Sequence, residues 1–154
     1  MDEKMDKIAD QRSLLMAHYR HPKGHKTPSS ERVVIQAINP VCGDQISLAA
    51  DIQGGKVSNI EYSARACSIC IASASIMTTL CCDKPIGIFE DYYTEIRSGL
   101  NHHSLEKTEP LILSIVDTVS PSRKKCALLP WDVLNTHINN AKDMDGKHDL
   151  GDVE

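Results

Sequence analysis

Hydrophobic and polar residues alternate along the first half of the chain in a pattern that predicts strands. The alternation is regular over residues 45–52, and the segments 32–38 and 56–65 also resemble strands. Gly54 and Gly55 separate the last two segments and predict a hairpin turn. Because the three segments follow one another with short connections, we expect a three-stranded antiparallel meander.

Apolar residues recur at helical spacing in the remainder of the chain. One helix is predicted before the strands and four after them, over residues 3–20, 68–82, 86–100, 110–119 and 127–139. Strands followed by helices indicate an α+β protein with a helical C-terminal half, in which helices pack on one face of the sheet. We expect a domain over residues 1–139 and an acidic, disordered tail over residues 140–154.

Composition narrows the class of protein. The length of 154 residues predicts one domain, and 41% hydrophobic residues suffice for a core. A net charge of −4 argues against a nucleic-acid surface.

The N-terminal residues "MDEKMDKIAD" lack the apolar segment of a secretion signal, and no apolar run is long enough for a membrane span, so we expect a cytoplasmic protein. Six cysteines in a reducing compartment favour thiols, a metal site or redox chemistry over disulfides.

Three cysteines lie at predicted element boundaries. Cys42 lies in the connection "NPVCGDQ" between the first two strands, two residues before Asp44. Cys67 lies where the third strand ends and a helix begins, and Cys126 lies just ahead of the last helix. The partial positive charge of a helix N-terminus favours thiolate over thiol. Cys67 and Cys126 are therefore candidates for a metal ligand or a sulfur nucleophile.

Glycine and nearby cations allow these residues to share one site. Gly43 can adopt a backbone conformation that lets Cys42 and Asp44 converge. Tetrahedral, thiolate-rich sites suit zinc or iron–sulfur chemistry. The basic run 123–125 stands beside Cys126, and Arg65 could act similarly on Cys67. The sequence thus predicts an S3O metal site; the alternative is buried thiols without a metal. The expected ligands are Cys42, Asp44, Cys67 and Cys126.

Four segments, in this order, resemble the family of iron–sulfur cluster assembly proteins that includes NifU N-terminal domains, IscU and SufU. They are "MAHYRHPKG", "NPVCGDQISL", "CSICIASASIMT" and "KKCALLPWDVL", and the match spans about residues 13–139. The resemblance implies the α+β fold and the same four-residue site. Family members receive sulfur from a pyridoxal-phosphate cysteine desulfurase. IscU-like members assemble a [2Fe–2S] cluster on the site, and SufU-like members bind zinc there and accept sulfur.

The residue before the last cysteine distinguishes the two branches. IscU-like proteins carry histidine there, whereas this chain has Lys125. The resemblance therefore favours a zinc-dependent sulfurtransferase, in which Cys42 is the catalytic persulfide acceptor and Asp44 tunes how easily Cys42 leaves the zinc. A SufS-like desulfurase and a downstream scaffold or apo-proteins would be the partners, with neither nucleic acid nor membrane. The alternative is a scaffold that binds iron, assembles a [2Fe–2S] cluster and transfers it.

Cys70 departs from the family pattern. The residue after "CSI" is normally serine, and glycines usually stand at the positions of Ala64 and Ala66. Cys70 forms a C-x-x-C pair with Cys67, so it is either a small packed hydrophobe or a redox or ligand group. A dithiol oxidoreductase is thus a third hypothesis, although the βαβ pattern of thioredoxin-like folds is missing.

Overall fold

The predicted meander forms the sheet, and a short fourth strand extends it. In a computed structural model of the protein, which describes residues 2–40, 43–102 and 109–151, the sheet has the order β1-β2-β3-β4. All neighbouring strands are antiparallel. The strands are β1 (Ile35–Ile38), β2 (Gln45–Gln53), β3 (Lys56–Arg65) and β4 (Lys84–Pro85). The α+β class is confirmed, and the predicted count of three strands is corrected to four.

The fourth strand is too short to leave a periodic signal. Its two residues pair with Lys56 and Val57 at the start of β3. The Asp83 N–H donates to the Val57 carbonyl at 2.7 Å, and the Ile86 N–H donates to the Gly55 carbonyl at 2.8 Å. The strand is therefore defined by its hydrogen bonds to β3. Two residues are too few to show the alternating pattern from which a strand is predicted.

Five helices occupy the rest of the described chain. They are α1 (Asp2–Arg20), α2 (Ser68–Cys81), α3 (Ile86–His102), α4 (Pro110–Val116) and α5 (Lys124–Gly151), and a 3-10 turn at Pro121–Arg123 precedes α5. Helix α2 contacts β3, while α5 contacts β1 and β2. The apolar face of the sheet is buried through alternate residues such as Ile46, Leu48 and Tyr62. These contacts bring the start of α2 and the start of α5 to the same region of the sheet.

The last helix is longer at both ends than its predicted span of 127–139. It begins at Lys124, so Pro130 lies in its interior, where it has no N–H to donate to the Cys126 carbonyl. It continues to Gly151, and Lys142 in this extension forms an ion pair with Glu90 of α3 at 3.2 Å. The predicted helix end was therefore wrong, and the division into a domain and a disordered tail stays a prediction.

A buried chain of hydrogen bonds joins α2 to α5. The Trp131 indole N–H donates to Ser73 Oγ at 2.9 Å, and the Ser73 hydroxyl donates to the Ala127 carbonyl at 2.6 Å. All three residues are fully buried. Because buried polar groups must be paired, this chain of bonds fixes how α2 and α5 lie against each other.

The loop after α1 is attached to the body of the protein through Ser75. Ser75 Oγ accepts the Lys23 N–H at 2.8 Å and lies 2.7 Å from His18 Nδ1. The Tyr62 hydroxyl donates to the Lys23 carbonyl at 2.7 Å. A neutral imidazole can accept the Ser75 hydroxyl proton at Nδ1, whereas a protonated one can only donate.

Replacing Ser73 with alanine should destabilise the protein because it leaves the buried Trp131 N–H without its acceptor. We expect the free energy of unfolding in urea to fall by about 2–3 kcal/mol. Ser114→Ala is the matched control, since Ser114 is equally buried but donates only within its own helix, and it should cost about 1 kcal/mol. Equal losses in the two variants would contradict the role assigned to Ser73.

Stability should fall in mild acid through His18. Burial, and secondarily the charge of Lys23, hold the pKa of the His18 imidazole below its ordinary value of 6.5. The unfolded chain therefore binds this proton at a higher pH than the folded protein does. The stabilisation of the folded state by neutral His18 is complete above pH 6.5 and is lost as the pH falls below this value. Urea titrations across this range should show a weaker pH dependence in His18→Gln. His21→Gln, at an exposed position, should behave like the wild type; a His18→Gln curve parallel to the wild type would refute the linkage.

Candidate metal centre

Cys67 is the N-cap residue of α2, as the sequence predicts. Its backbone is extended, with φ −69° and ψ 166°, because it continues the path of β3 before the helix begins at Ser68. Its side chain forms no capping hydrogen bond and is half-buried. The sulfur is thus not engaged in capping the helix that it precedes.

Asp44 supplies the capping interaction from a different segment. The carboxylate is buried, with 5% of the residue exposed, and its Oδ1 accepts the Cys67 N–H at 3.0 Å. The connection before it is tight: the Gly43 N–H donates to the Asn39 carbonyl at 2.8 Å, and the Asn39 N–H donates to the Asp44 carbonyl at 2.7 Å. Gly43 has φ +75°, which favours glycine. A carboxylate at a helix N-terminus is electrostatically favourable, so Asp44 is held against the start of α2.

Cys126 lies in the first turn of α5 and is buried, with 1% exposed. The sequence placed it just ahead of the helix, and this is corrected because α5 begins two residues before it, after the 3-10 turn. Its neighbour Ala127 accepts the Ser73 hydroxyl. The hydrogen-bonded contact between α2 and α5 therefore lies directly beside Cys126.

These side chains form a cluster of two sulfurs and one carboxylate. A carboxylate oxygen of Asp44 and the Sγ atoms of Cys67 and Cys126 all lie within 4.8 Å of one another. Ligand atoms at about 2.0–2.3 Å from a tetrahedral zinc ion lie about 3.3–3.8 Å apart, so the cluster needs to close by at most about 1.5 Å to hold an ion. Three of the four predicted ligands thus come together, whereas Cys42 lies outside the described residues. The donor set fits zinc, and metal binding itself stays a prediction.

Arg123 provides the positive charge beside both sulfurs. Its guanidinium pKa is raised above its ordinary value, first by the negative charge of Cys67 and then by hydrogen bonds to the Cys126 and Cys67 sulfurs. The sequence identified the basic run next to Cys126 but considered Arg65 for Cys67. Arg65 lines a cavity of about 250 Å³ together with Gln45 and two serines. The contact between Arg123 and Cys67 joins segments far apart in sequence, and no local spacing indicates it.

The other described cysteines lie apart from this cluster. Cys70 is buried in the first turn of α2. Cys81 and Cys82 lie at the opposite end of α2, where burial raises the pKa of the Cys81 thiol to about 12. No disulfide joins any two of the described cysteines. Cys81 is therefore unsuited to nucleophilic chemistry near neutral pH.

The fold and the cluster together define a small α+β protein with a candidate metal centre built from sulfur and oxygen ligands. The NifU-like N-terminal domain family matches residues 10–146. Over 131 residues the chain is 30% identical to the zinc-dependent sulfurtransferase SufU of Bacillus subtilis (strain 168), which covers 82% of this chain and 88% of SufU. The chain belongs to the NifU-like N-terminal domain family of iron–sulfur cluster assembly proteins.

Two further comparisons agree with this assignment. The iron–sulfur cluster assembly scaffold protein IscU of Streptococcus pyogenes serotype M1 is 28% identical over 136 residues, or 84% of this chain and 82% of IscU. The crystal structure of a nitrogen-fixing NifU-like protein (N-terminal) from Brucella abortus superimposes with a TM-score of 0.74 over 90% of this chain and 97% of that one. At 14% identity, this second likeness concerns the fold alone. Within the described residues, no helix combines the length and apolarity needed to cross a membrane.

Removing the charge of Arg123 should weaken zinc binding. Arg123→Gln leaves two thiolates and a carboxylate without their adjacent cation, and we expect about tenfold lower affinity, the lower end of the range for partners of metal ligands. Competition with a chromophoric chelator measures the affinity. Lys125→Gln removes the same charge from an exposed residue next to Cys126, and it should lower the affinity for zinc less than Arg123→Gln does. Equal losses would mean that only net charge matters and that the contacts of Arg123 do not.

Proposed function

We propose that this protein is a zinc-dependent sulfurtransferase of iron–sulfur cluster assembly. It accepts persulfide sulfur from a pyridoxal-phosphate cysteine desulfurase and delivers it to cluster biogenesis. The observation that carries the proposal is the convergence of Asp44, Cys67 and Cys126 within 4.8 Å. Two thiols and a carboxylate beside an arginine form a donor set suited to zinc.

Cys42 is the fourth ligand in this proposal. It precedes Asp44 by two residues, so the chain between them is too short to place it far from the cluster. The zinc would be held by Cys42, Asp44, Cys67 and Cys126. When bound, zinc acts as a Lewis acid that keeps its sulfur ligands deprotonated near neutral pH.

The four ligands differ in how the chain supports them. Cys67 and Cys126 stand at the starts of two helices that are bonded together through Ser73. Asp44 is attached to α2 through the Cys67 N–H. Cys42 belongs to the connection between β1 and β2 and precedes a glycine. We therefore assign Cys42 as the ligand that leaves to react, while the others stay in place.

Sulfur transfer then exchanges one sulfur–sulfur bond for another. The Cys42 thiolate attacks the outer sulfur of the persulfide on the desulfurase. A bond forms between Cys42 Sγ and that sulfur, the original bond breaks, and the desulfurase cysteine leaves as a thiolate. Arg123, beside the sulfurs of Cys67 and Cys126, offsets the negative charge around the reacting group.

The relatives support this proposal in name and in sequence. SufU, at 30% identity, is named as a zinc-dependent sulfurtransferase. Lys125 stands where IscU-like proteins are expected to carry histidine. Its side chain is exposed, and the grouped ligands among the described residues include no histidine. A SufS-like desulfurase, a downstream scaffold or apo-proteins and a cytoplasmic location follow as parts of the same proposal.

The alternative is a scaffold on which a [2Fe–2S] cluster is assembled and then transferred to apo-proteins. The 28% identity to the scaffold protein IscU favours it. In this case the cluster is cargo, held by the same cysteines and released to an acceptor, and Asp44 would govern its exchange.

The two functions differ in what Cys42 does to a desulfurase. With L-cysteine and a SufS-like desulfurase, the zinc-loaded protein should raise sulfide release in the presence of a reductant, because Cys42 removes persulfide from the desulfurase. Cys42→Ser should reduce the rate to that of the desulfurase alone. Cys82→Ser is the matched control, since it makes the same change at the far end of α2 and should retain full stimulation.

Stimulation that survives Cys42→Ser would contradict the assignment of Cys42. A visible-absorbing cluster that forms on anaerobically reconstituted protein and transfers to an apo-acceptor, without stimulation of the desulfurase, would favour the scaffold. Metal analysis of anaerobically purified protein completes the comparison, because the sulfurtransferase should carry about one zinc per chain.

A further inference from the structure

Cys70 forms a second sulfur pair at the start of α2, outside the metal cluster. It is the third residue of the helix, and Cys67 is the N-cap, so the pair spans the first helical turn. Cys67 is half-buried, and Cys70 is fully buried. No disulfide joins them. Of the two residues, Cys67 is the more accessible to solvent.

The backbone at this point suits a bond between the two sulfurs. Cα atoms three residues apart in the first turn of a helix lie at about 5 Å, within the range of about 4.4–6.8 Å that disulfides span. Inside a helix, the directions of the two side chains disfavour the bond. Cys67 escapes this limit because its own backbone is extended, at ψ 166°, and only Cys70 is helical.

We propose that Cys67 and Cys70 form a reversible disulfide on exposure to a hydroperoxide, and that this bond withdraws Cys67 from the metal cluster. The bond is a modification site that the sulfur-transfer chemistry does not use. Its effect on metal binding rests on the proposed function, whereas the disulfide itself does not.

The reaction balances with hydrogen peroxide as the oxidant. The Cys67 thiolate attacks one peroxide oxygen, the O–O bond breaks, and Cys67 becomes a sulfenic acid while hydroxide leaves. The Cys70 sulfur then attacks the Cys67 sulfur, the S–S bond forms, and the sulfenic oxygen leaves as a second hydroxide. The two thiol protons complete two molecules of water. A small dithiol reverses the bond by thiol–disulfide exchange.

Cys126 is the competing partner, because its sulfur lies within 4.8 Å of the Cys67 sulfur. One feature favours Cys70. Cys126 is carried by a different helix, which the Ser73 hydrogen bonds hold in place, so a bond to it requires two packed elements to move. Bonding to Cys70 requires only a side-chain rotation within one turn.

The test compares the wild type with Cys70→Ser, which restores the residue expected in the family. Zinc-loaded protein is treated with a molar excess of hydrogen peroxide in the presence of a chromophoric chelator, remaining thiols are alkylated, and peptides are mapped by mass. The wild type should lose two hydrogens, show a Cys67–Cys70 bond and release zinc, and dithiothreitol should restore zinc binding. Cys70→Ser should bind zinc normally, release it more slowly under peroxide and recover less after reduction, because Cys67 proceeds to the sulfinic acid.

A wild-type disulfide that joins Cys67 to Cys126 would overturn the proposal, and so would equal zinc release and recovery in the two variants. The same mapping on zinc-free protein separates this inference from the proposed function. A Cys67–Cys70 bond in a protein that binds no zinc would support the disulfide and refute the metal centre. Normal zinc binding without a Cys67–Cys70 bond would support the metal centre and refute the disulfide.

Discussion

The hydrogen bonds from Trp131 to Ser73 and from Ser73 to Ala127 set the geometry on which the candidate metal centre depends. Ser73 lies in α2, whose N-cap is Cys67, and Ala127 follows Cys126 in α5. The two sulfurs therefore stand at the ends of elements that are bonded to each other at buried positions. Because an unpaired buried N–H costs about 1–3 kcal/mol, the helices resist sliding, and the distance between the sulfurs is maintained without a metal.

Asp44 combines two roles at the other side of the cluster. Its carboxylate caps α2 through the Cys67 N–H, and it also offers an oxygen to the cluster. The negative charge is favourable at the helix N-terminus even before a cation arrives. A carboxylate oxygen binds a thiophilic metal less tightly than another thiolate would, which suits the proposed departure of Cys42 from the site. The same bond ties the connection that contains Cys42 to the start of α2.

Several of these features can be predicted from the sequence, for identifiable reasons. The bounds of β2 and β3 follow from regular alternation on both sides of two glycines, and Cys67 follows from the change of period after β3. The start of α5 was misplaced because proline is normally confined to the first turn of a helix, whereas this helix tolerates Pro130 in its interior. The contact between Arg123 and Cys67 was missed because it joins the 3-10 turn to the N-cap residue of α2, and these lie far apart in the sequence. Pairings between distant segments leave no local periodic signal, so only the fold reveals them.

The extended backbone of Cys67 connects the two chemistries assigned to this end of the protein. A residue with helical dihedral angles would direct its side chain back along its own helix. As the N-cap, Cys67 instead forms no capping bond with its side chain, so the proposed disulfide requires its sulfur to turn from Arg123, Asp44 and Cys126 toward Cys70. With serine at position 70, the Cys67 sulfur could pair only with the cluster of Asp44 and Cys126. In this proposal, the exchange of one hydroxyl for one thiol in a buried helical turn gives Cys67 a second partner, while the hydrogen bonds of Ser73 that join α2 to α5 stay unchanged.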